Sequence, residues 1–377
     1  MSYTMEEYAR MLADPVRAPA YLAAVRESVR EGMVVADVGA GPGVLGVYAA
    51  TLGARRVFLV EPDASVNAAR AFAHENGVAD RVEVIRASST DIELPERADV
   101  IVSDLRGVTP FHGHHLASAA DMRARLLAPG GVCIPRRDRV FAALVDDDAL
   151  YARSVDAWSG VPEPLSRESL TSLMANGWFR ARATGAQLLS EPAPFVTLDY
   201  DRPAPPLQAS WNFDATRDGT AHGLLLWFDT DLTDRVALSN APSAPAALYG
   251  QAFFPFRPAF TMRRGDGLHV VLRTVLASDD YAWTWSARDD GGRAVRHSTL
   301  LSLPLDPETV ALRSERCAPR RSLDGEILRV LLDAADGRAT FGELAGLLHA
   351  QFADRFATSQ AALDYVTKLD DLWSSGR

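Results

Sequence analysis

The chain has 377 residues, of which 47% are hydrophobic and 23% are charged, values typical of globular proteins. At roughly 100–200 residues per domain, this length predicts two or three domains. The net charge of −10 disfavours nucleic-acid binding, no apolar run reaches the roughly 20 residues that cross a bilayer, and the acidic N-terminus lacks the pattern of a signal peptide. We therefore expect a cytoplasmic protein without membrane or nucleic-acid partners.

Short apolar strands alternate with helices up to residue 135, after a helical stretch over 5–30. The strands are predicted over 33–39, 56–62, 81–87 and 98–104, and the helices over 44–53, 64–77 and 114–127. Strands that alternate with helices of this length form βαβ units and a parallel sheet. The pattern predicts an α/β, Rossmann-like domain over residues 1–135.

The pattern changes after Pro135. About eight β-like runs separated by turn residues predict a β-barrel-like domain over 136–310, interrupted by a helical insertion near 165–178. Three short amphipathic segments then predict a small helical, winged-helix-like domain over 311–377. The two cysteines, Cys133 and Cys317, have no metal-ligand spacing, so we expect no metal site.

A glycine-rich turn links the first strand to the first helix of the Rossmann-like region. Gly39, Gly41 and Gly43 follow Asp37 there, and glycines let the backbone turn sharply and approach a ligand closely. Glu61 ends the second strand, where a carboxylate can accept hydrogen bonds from both ribose hydroxyls of a nucleoside. The turn therefore predicts a nucleotide site.

Two cofactors fit this geometry, NAD and S-adenosylmethionine (SAM). The spacing is G-x-G-x-G, whereas the dinucleotide fingerprint is G-x-G-x-x-G. Asp37 and the acidic segment 87–95 also suit a cationic sulfonium better than a diphosphate. We interpret the site as one for SAM.

Several motifs, in order, resemble those of the protein arginine methyltransferases. They lie at residues 11–21, 34–61, 87–104, 126–135, 222–232 and 238–256, and the similarity covers residues 5 to about 290. The resemblance implies a SAM-dependent methyltransferase with a Rossmann domain, a β-barrel and a helical dimerisation arm, which falls at 165–178, and hence a homodimer. It also implies that Arg17 holds the SAM carboxylate, that Gly39 and Gly41 hold the methionine part, that Glu61 holds the ribose, and that Ser89 or Thr90 contacts the adenine edge.

The sequence departs from this family where the family clamps a guanidinium with two glutamates. Asp104 falls on the first glutamate and Gly113 on the second, and the family's Thr-His-Trp loop is replaced by Ala247-Leu248-Tyr249. Arg106 adds positive charge to the same loop. Because a planar guanidinium needs paired carboxylates for bidentate binding, we do not expect arginine to be the methyl acceptor.

Three histidines follow in the same loop, at His112, His114 and His115. Histidine takes up a proton near neutral pH, so Asp104 or these histidines are candidates to orient and deprotonate the acceptor. The alternatives are that the histidines cap the next helix or face solvent. A metal role is not expected, because no carboxylate lies at ligand spacing.

The C-terminal segment resembles the small PqqD-type recognition fold. The shared features are an initiating helix, a turn at Asp336-Gly337 with Thr340, and two further helices. That family binds leader peptides of ribosomally made natural products, so the resemblance implies a peptide substrate with a leader. Self-association or a core-capping tail are the alternatives.

Three functions are compatible with these observations. The first is SAM-dependent methylation, on nitrogen, of a peptide or protein such as a natural-product precursor, by positioning and removal of one proton. The second is a small-molecule methyltransferase of natural-product biosynthesis. The third is a pseudoenzyme that binds SAM and acts as a scaffold.

Overall fold

A computed structural model describes residues 3–304, 306, 311, 315–318 and 320–373 of the chain, without the side chains of 370–373. The chain forms two compact units, Met1–Pro304 and Leu305–Arg377. The first unit contains an α/β part and a β-rich part.

The α/β part is built from five strands and five helices. Its helices are α1 (Met5–Ala13), α2 (Arg17–Ser28), α3 (Val44–Thr51), α4 (Val66–Glu75) and α5 (His115–Arg125). Its strands are β1 (Val34–Val38), β2 (Arg56–Val60), β3 (Val82–Ile85), β4 (Ala98–Ser103) and β5 (Leu127–Ile134). All predicted strands and helices of this region are present, with ends shifted by a few residues.

The sheet of the α/β part is parallel throughout and has the order β3-β2-β1-β4-β5. Every residue of β1 is buried, as expected for a central strand that helices cover on both faces. The chain leaves β1 towards β2 on one side, and β4 lies on the other. Ligands of open α/β sheets bind at such a switch point, beyond the carboxyl ends of the strands.

The β-rich part contains ten strands in two antiparallel sheets, rather than the eight expected. The strands are β6 (Arg137–Val145), β7 (Phe179–Ala181), β8 (Ala193–Asp199), β9 (Gln208–Asp214), β10 (Gly219–Asp231), β11 (Ala237–Ser239), β12 (Gln251–Met262), β13 (Gly267–Ala277), β14 (Asp280–Asp289) and β15 (Ala294–Ser298). One sheet has the order β7-β12-β10-β6-β8, with β11 beside β10, and the other has the order β15-β14-β13-β9.

The helices of the insertion between β6 and β7 differ in number and position from the prediction. It contains α6 (Asp148–Ser154), which we did not predict, and α7 (Glu168–Met174), which is shorter than the predicted 165–178. Residues 179–181 pair with β12 as an edge strand. This three-residue strand is too short to show the alternation on which strand prediction depends.

Aromatic side chains fill the space between the two β-sheets. Phe254 packs against Trp283 and Trp285, with ring centroids 4.9 and 5.3 Å apart. Trp285 is fully buried, and its indole nitrogen donates to the backbone oxygen of Pro255 at 2.7 Å. A buried indole therefore keeps its hydrogen bond, as a tight core requires.

The described residues of the second unit include the helices α8 (Leu323–Ala334), α9 (Phe341–Gln351) and α10 (Ser359–Trp373). Ser322 caps α8, and Thr340 and Glu343 form a capping box at α9. Ile327, Leu331 and Leu348 are buried in a small core of their own. The three predicted helices are thus present, and the described residues of this unit include no strand.

Across the described parts of the chain, none of the helices has the length and apolar character that a membrane span requires.

Candidate functional site

The glycine turn closes β1 and opens α3 with a left-handed backbone. Gly39 and Gly41 have φ values of +72° and +53°, a region that side-chain-bearing residues rarely adopt. A Cβ atom at Gly41 would lie 2.4 Å from the ring of Tyr8, and one at Gly39 would lie 2.5 Å from Leu105. Glycine is therefore required at both positions by conformation and by space.

Two carboxylates hold this turn. Glu61 accepts the backbone N–H of Gly41 at 2.9 Å and that of Asp63 at 3.0 Å, one on each oxygen. Asp37 accepts the backbone N–H of Gly46 at 2.8 Å, and burial raises the pKa of its carboxyl to about 7. Each oxygen of Glu61 keeps a further acceptor position, so this carboxylate can still bind two ligand hydroxyls.

A cavity of about 370 Å³, the glycine-turn cavity, lies at the carboxyl ends of β1, β2 and β4. Arg17, Asp37, Gly39 and Glu61 line it, together with Tyr8 of α1. The capping box of Thr4 and Glu7 begins α1, which places Tyr8 over the turn. Four of the seven predicted cofactor residues, from three separate segments, therefore meet in one cavity, whereas Gly41 of the same turn does not line it.

Ser89 and Thr90 do not line this cavity. They lie in a single 3-10 turn after β3, where Ser89 is buried and Thr90 is exposed. The backbone oxygen of Ser89 accepts from Arg125 at 2.7 Å. Their contact with an adenine edge stays a prediction.

Asp104 follows β4 directly and is engaged by three donors. Its Oδ2 atom accepts from Arg17 Nε at 2.6 Å and from the hydroxyl of Tyr249 at 2.6 Å, and its Oδ1 atom accepts from Arg106 Nε at 3.0 Å. Burial alone would raise the pKa of Asp104, but the guanidinium groups of Arg106 and Arg17 outweigh burial and hold that pKa well below its usual range. The carboxyl is therefore ionised.

The side chain of Arg106 is fully buried, although the residue contributes to the walls of cavities on both sides of the loop. Its guanidinium donates to Asp104 Oδ1 at 3.0 Å, Asp138 Oδ1 at 2.8 Å, Thr230 Oγ1 at 2.6 Å and the Tyr21 hydroxyl at 2.5 Å. Arg17, Arg106, Asp104 and Asp138 form a quartet of two cations and two anions, which we call the charge quartet. The quartet has no net charge.

The three histidines do not form one cluster. His114 is exposed and contacts Asp279 at 3.2 Å. His115 is buried at the start of α5, where burial lowers the pKa of its ring to about 4. Its Nε2 atom lies 2.8 Å from the hydroxyl of Tyr200, which donates to Asp138. His115 therefore belongs to the network behind the charge quartet.

His112 occupies a different position, between two cavities. It lines the glycine-turn cavity and also a second cavity of about 460 Å³, the barrel-side cavity. Arg17, Asp104 and Arg106 are shared by both cavities as well. Of the three histidines, only His112 lines both cavities, which makes it the base best placed to serve a reaction between their contents.

The barrel-side cavity contains residues that sequence reasoning did not select. Trp178, Arg180, Leu248, Tyr249 and Asp280 line it. Asp280 is the first residue of β14 and follows the turn after β13. This turn lies close to Gly113, where a Cβ atom would be 3.9 Å from the backbone oxygen of Asp279. The resemblance pointed to Leu248 and Tyr249 as loop positions, but no local pattern marks the other three.

Two family models match the chain. The arginine methyltransferase oligomerization subdomain matches residues 136–288, and the ribosomal protein L11 methyltransferase (PrmA) model matches residues 20–131. Among solved structures, the Trypanosoma brucei PRMT1 enzyme–prozyme heterotetrameric complex with AdoHcy has a TM-score of 0.72 at 20% identity and covers 78% of this chain and 98% of its own. Arabidopsis thaliana protein arginine methyltransferase 10 has a TM-score of 0.67 at 23% identity, covering 78% and 97%. These structures share the fold.

Curated relatives are closer in sequence. A probable histone-arginine methyltransferase CARM1 of Oryza sativa subsp. indica is 33% identical over 64% of this chain, which spans 49% of that relative. A probable protein arginine N-methyltransferase 6 of Arabidopsis thaliana is 28% identical, and the chain spans 55% of it. The chain thus spans about half the length of these two relatives. It covers 76% of a probable protein arginine N-methyltransferase 6.1 of Oryza sativa subsp. indica, at 30% identity over 79% of this chain. The chain belongs to the protein arginine methyltransferase family.

Proposed function

We propose that the protein is a SAM-dependent methyltransferase whose methyl acceptor is an uncharged nitrogen of a peptide or protein. The observation that carries the proposal is the meeting of Arg17, Gly39 and Glu61 in one cavity that shares part of its wall with a second. When bound, SAM supplies an activated methyl group on a positively charged sulfur. The family relatives support this cofactor, since one solved structure holds AdoHcy.

The residues of the glycine-turn cavity fit SAM by their chemistry. Glu61 offers one acceptor position on each oxygen to the ribose hydroxyls. Arg17 uses Nε for Asp104, which leaves its terminal nitrogens as donors for a carboxylate. Asp37 lies in the same cavity and favours a positively charged ligand once it ionises.

The charge quartet argues for an uncharged acceptor. A guanidinium that enters the barrel-side cavity meets Asp104 already neutralised by Arg17 and Arg106. Gly113 contributes no carboxylate. A buried cation without an anionic partner costs several kcal/mol, on the order of the penalty for one desolvated ion. A neutral N–H group incurs no such cost.

His112 is the base in this proposal. An attacking N–H group loses one proton when it takes the methyl group, and His112 lines both cavities that would hold the reactants. Asp104 accepts three hydrogen bonds and is strongly acidic, so it positions Arg17 and Tyr249 instead of taking the proton. His114 and His115 line the glycine-turn cavity but not the barrel-side cavity.

Turnover of methyl-labelled SAM with a panel of peptides tests the proposal. We expect transfer to peptides that lack arginine, and a loss of about 10²–10⁴ in rate for His112→Gln. His114→Gln is the matched control, since His114 is an exposed neighbour in the same loop, and it should retain the wild-type rate. SAM binding without transfer to any peptide or small molecule would support a pseudoenzyme that acts as a scaffold. Transfer only to small molecules would support a small-molecule methyltransferase.

A second candidate, arginine methylation, is favoured by one observation. Asp280 lines the barrel-side cavity with Asp104 and is placed to supply a second carboxylate from the barrel. Glycine-arginine-rich peptides separate the candidates. Methylarginine formed at rates of order 1 s⁻¹ or more, and lost in Asp280→Asn, would establish this candidate and contradict the uncharged acceptor.

We further propose that the second unit binds the leader segment of a peptide substrate. Leu323, Leu328 and Leu332 of α8 are 54%, 37% and 53% exposed, so this helix offers apolar contacts beyond its own core. Replacing Leu328 and Leu332 by Asp in the full chain should weaken the binding of a long precursor peptide. The binding of the isolated core peptide, which lacks the leader, should not change. Equal effects on both peptides would exclude a leader site here.

A further inference from the structure

The arginines of the barrel-side cavity are paired with carboxylates, with one exception. Arg17 and Arg106 bind Asp104, and Arg10 pairs with Glu6, whereas Glu7 and Asp280 accept hydrogen bonds from neutral donors, those of Thr4 and the backbone N–H of Tyr281. Arg180 also lines the cavity. Among the residues that the structure describes, no hydrogen bond or ion pair partner of its guanidinium is found.

Gly250 creates the space in which Arg180 lies. Gly250 follows Tyr249 with a φ of +65°. A Cβ atom there would lie 3.1 Å from Arg180 Nε and 2.7 Å from the backbone oxygen of Ala181. The side chain of Arg180 therefore packs against the backbone of Gly250. Gly250 is next to Tyr249, whose hydroxyl donates a hydrogen bond to Asp104.

The surroundings of Arg180 leave its charge uncompensated. Partial burial and the neighbouring cation of Arg182 both lower the pKa of Arg180. Arg182 itself donates to the backbone oxygen of Ala247 at 3.3 Å, which is a neutral acceptor. Arg180 of the edge strand β7 and Arg182, one residue beyond its end, are two residues apart in sequence and thus place two cations close together.

The walls beside Arg180 are apolar. Trp178 precedes Arg180 by two residues and is 38% exposed, and Leu248 lies in the same cavity. An indole and a leucine side chain pack well against the aliphatic part of a ligand, whereas the guanidinium fork matches a carboxylate. The combination is that of a site for a short aliphatic chain ending in a carboxylate.

We propose that Arg180 binds a carboxylate carried by the methyl acceptor, an acidic side chain or the C-terminus of a peptide. The inference rests on the proposed function in one respect, namely that the barrel-side cavity receives the acceptor. It adds that the acceptor is anionic near its nucleophile. The site thereby distinguishes acidic from neutral and basic peptides.

The test uses full-length protein and short peptides that differ at one position, where Glu is replaced by its uncharged isostere Gln or by Lys. Binding to the protein saturated with S-adenosylhomocysteine is followed by fluorescence anisotropy, and transfer is followed with labelled SAM. We expect Glu peptides to bind about tenfold more tightly than Gln peptides, which is the usual size of one charge-assisted hydrogen bond.

Three variants make the test specific. Arg180→Gln should remove the preference by raising KM for Glu peptides with kcat nearly unchanged, and Arg180→Glu should reverse it in favour of Lys peptides. Arg10→Gln is the matched control, because Arg10 lines the same cavity but already pairs with Glu6. It should keep the preference.

The outcomes separate this inference from the proposed function. Transfer without a Glu preference, or a preference that survives Arg180→Gln, overturns the inference alone. A Glu preference in binding without any transfer supports the inference and contradicts the methyltransferase proposal. Neither binding nor transfer with any peptide overturns both the carboxylate site and the peptide acceptor.

Discussion

Among single residues, Asp37 should make the affinity for SAM depend on pH more strongly than the affinity for S-adenosylhomocysteine. Its carboxyl has a pKa of about 7 in the folded protein, against an ordinary value of 3.8. A positively charged sulfonium favours the ionised carboxylate, so SAM affinity should rise from pH 6 to pH 8, with proton release on binding. S-adenosylhomocysteine, which has a neutral sulfur, should show little change. Calorimetry in buffers of different ionisation enthalpy measures both effects.

The raised pKa of Asp37 also makes the stability of the folded protein depend on pH. Because the folded pKa lies above the unfolded one, the folded protein keeps a proton that the unfolded chain releases. The contribution of Asp37 to stability is fully present below about pH 4 and is lost as pH rises to about 7. Asp37→Asn should flatten this part of the stability profile. An unchanged profile in the variant would contradict the assignment.

Glu61 should carry a large share of SAM affinity. Glu61→Ala removes the acceptors of two ribose hydroxyls, and we expect binding to weaken by about 2 kcal/mol or more, roughly thirtyfold in Kd. Glu61→Gln retains one acceptor and should lose less. Because Glu61 also accepts the N–H groups of Gly41 and Asp63, thermal unfolding must show that both variants remain folded. Unaltered calorimetric affinity in Glu61→Ala would exclude the ribose contact.

At the scale of elements, α1 connects helix capping to cofactor binding. Thr4→Ala removes one half of the capping box, which typically costs about 1 kcal/mol, and Tyr8 of the same helix covers the glycine turn. We expect SAM to bind about fivefold more weakly. Thr340→Ala removes the same motif from α9 in the second unit and is the control, with unchanged affinity. Equal SAM affinity of Thr4→Ala and Thr340→Ala would mean that α1 does not close the glycine-turn cavity.

The charge quartet should contribute more to the free energy of unfolding than an exposed ion pair does. Arg106→Met leaves Asp138 and Asp104 buried without their shared cation, and the expected loss of stability is about 3–5 kcal/mol. Adding Asp138→Asn should recover part of that loss. Arg55→Met breaks a surface pair with Glu96 and should change stability little. Chemical denaturation measures all three, and a small effect of Arg106→Met alone would contradict a buried charged network.

Elements with a local pattern could be predicted from the sequence, and contacts between distant segments could not. The parallel strands and the glycine turn are marked by apolar runs and by glycines within a few residues. Arg106, however, binds Asp138 and Thr230, which lie 32 and 124 residues further along the chain. Nothing in the sequence indicates these pairs, so the sequence predicts the positive charge of Arg106 beside the site but not the carboxylate of Asp138 that compensates it. The histidines were adjacent in sequence, but the start of α5 turns them in different directions.

At the scale of the whole molecule, we predict a homodimer formed by the insertion between β6 and β7. The family model that matches this region describes an oligomerization subdomain. Trp158 and Leu165 of the insertion are 43% and 65% exposed, so they are available for apolar contacts with a second copy of the chain. Light scattering should give twice the chain mass of 40.8 kDa. Trp158→Glu with Leu165→Glu should give the monomer, whereas Leu276→Glu, an exposed apolar position on β13, should not.

The placement of α1 also has a kinetic consequence. Tyr3, next to the start of α1, and Met11 within it line both the glycine-turn cavity and the barrel-side cavity, so one segment forms part of the wall of each. Seating that segment over bound SAM also completes the wall of the barrel-side cavity, so the peptide site should be complete only when the nucleotide is bound. We therefore expect a compulsory order, in which the nucleotide enters first and leaves last. Product inhibition by S-adenosylhomocysteine would then be competitive against SAM and noncompetitive against the peptide.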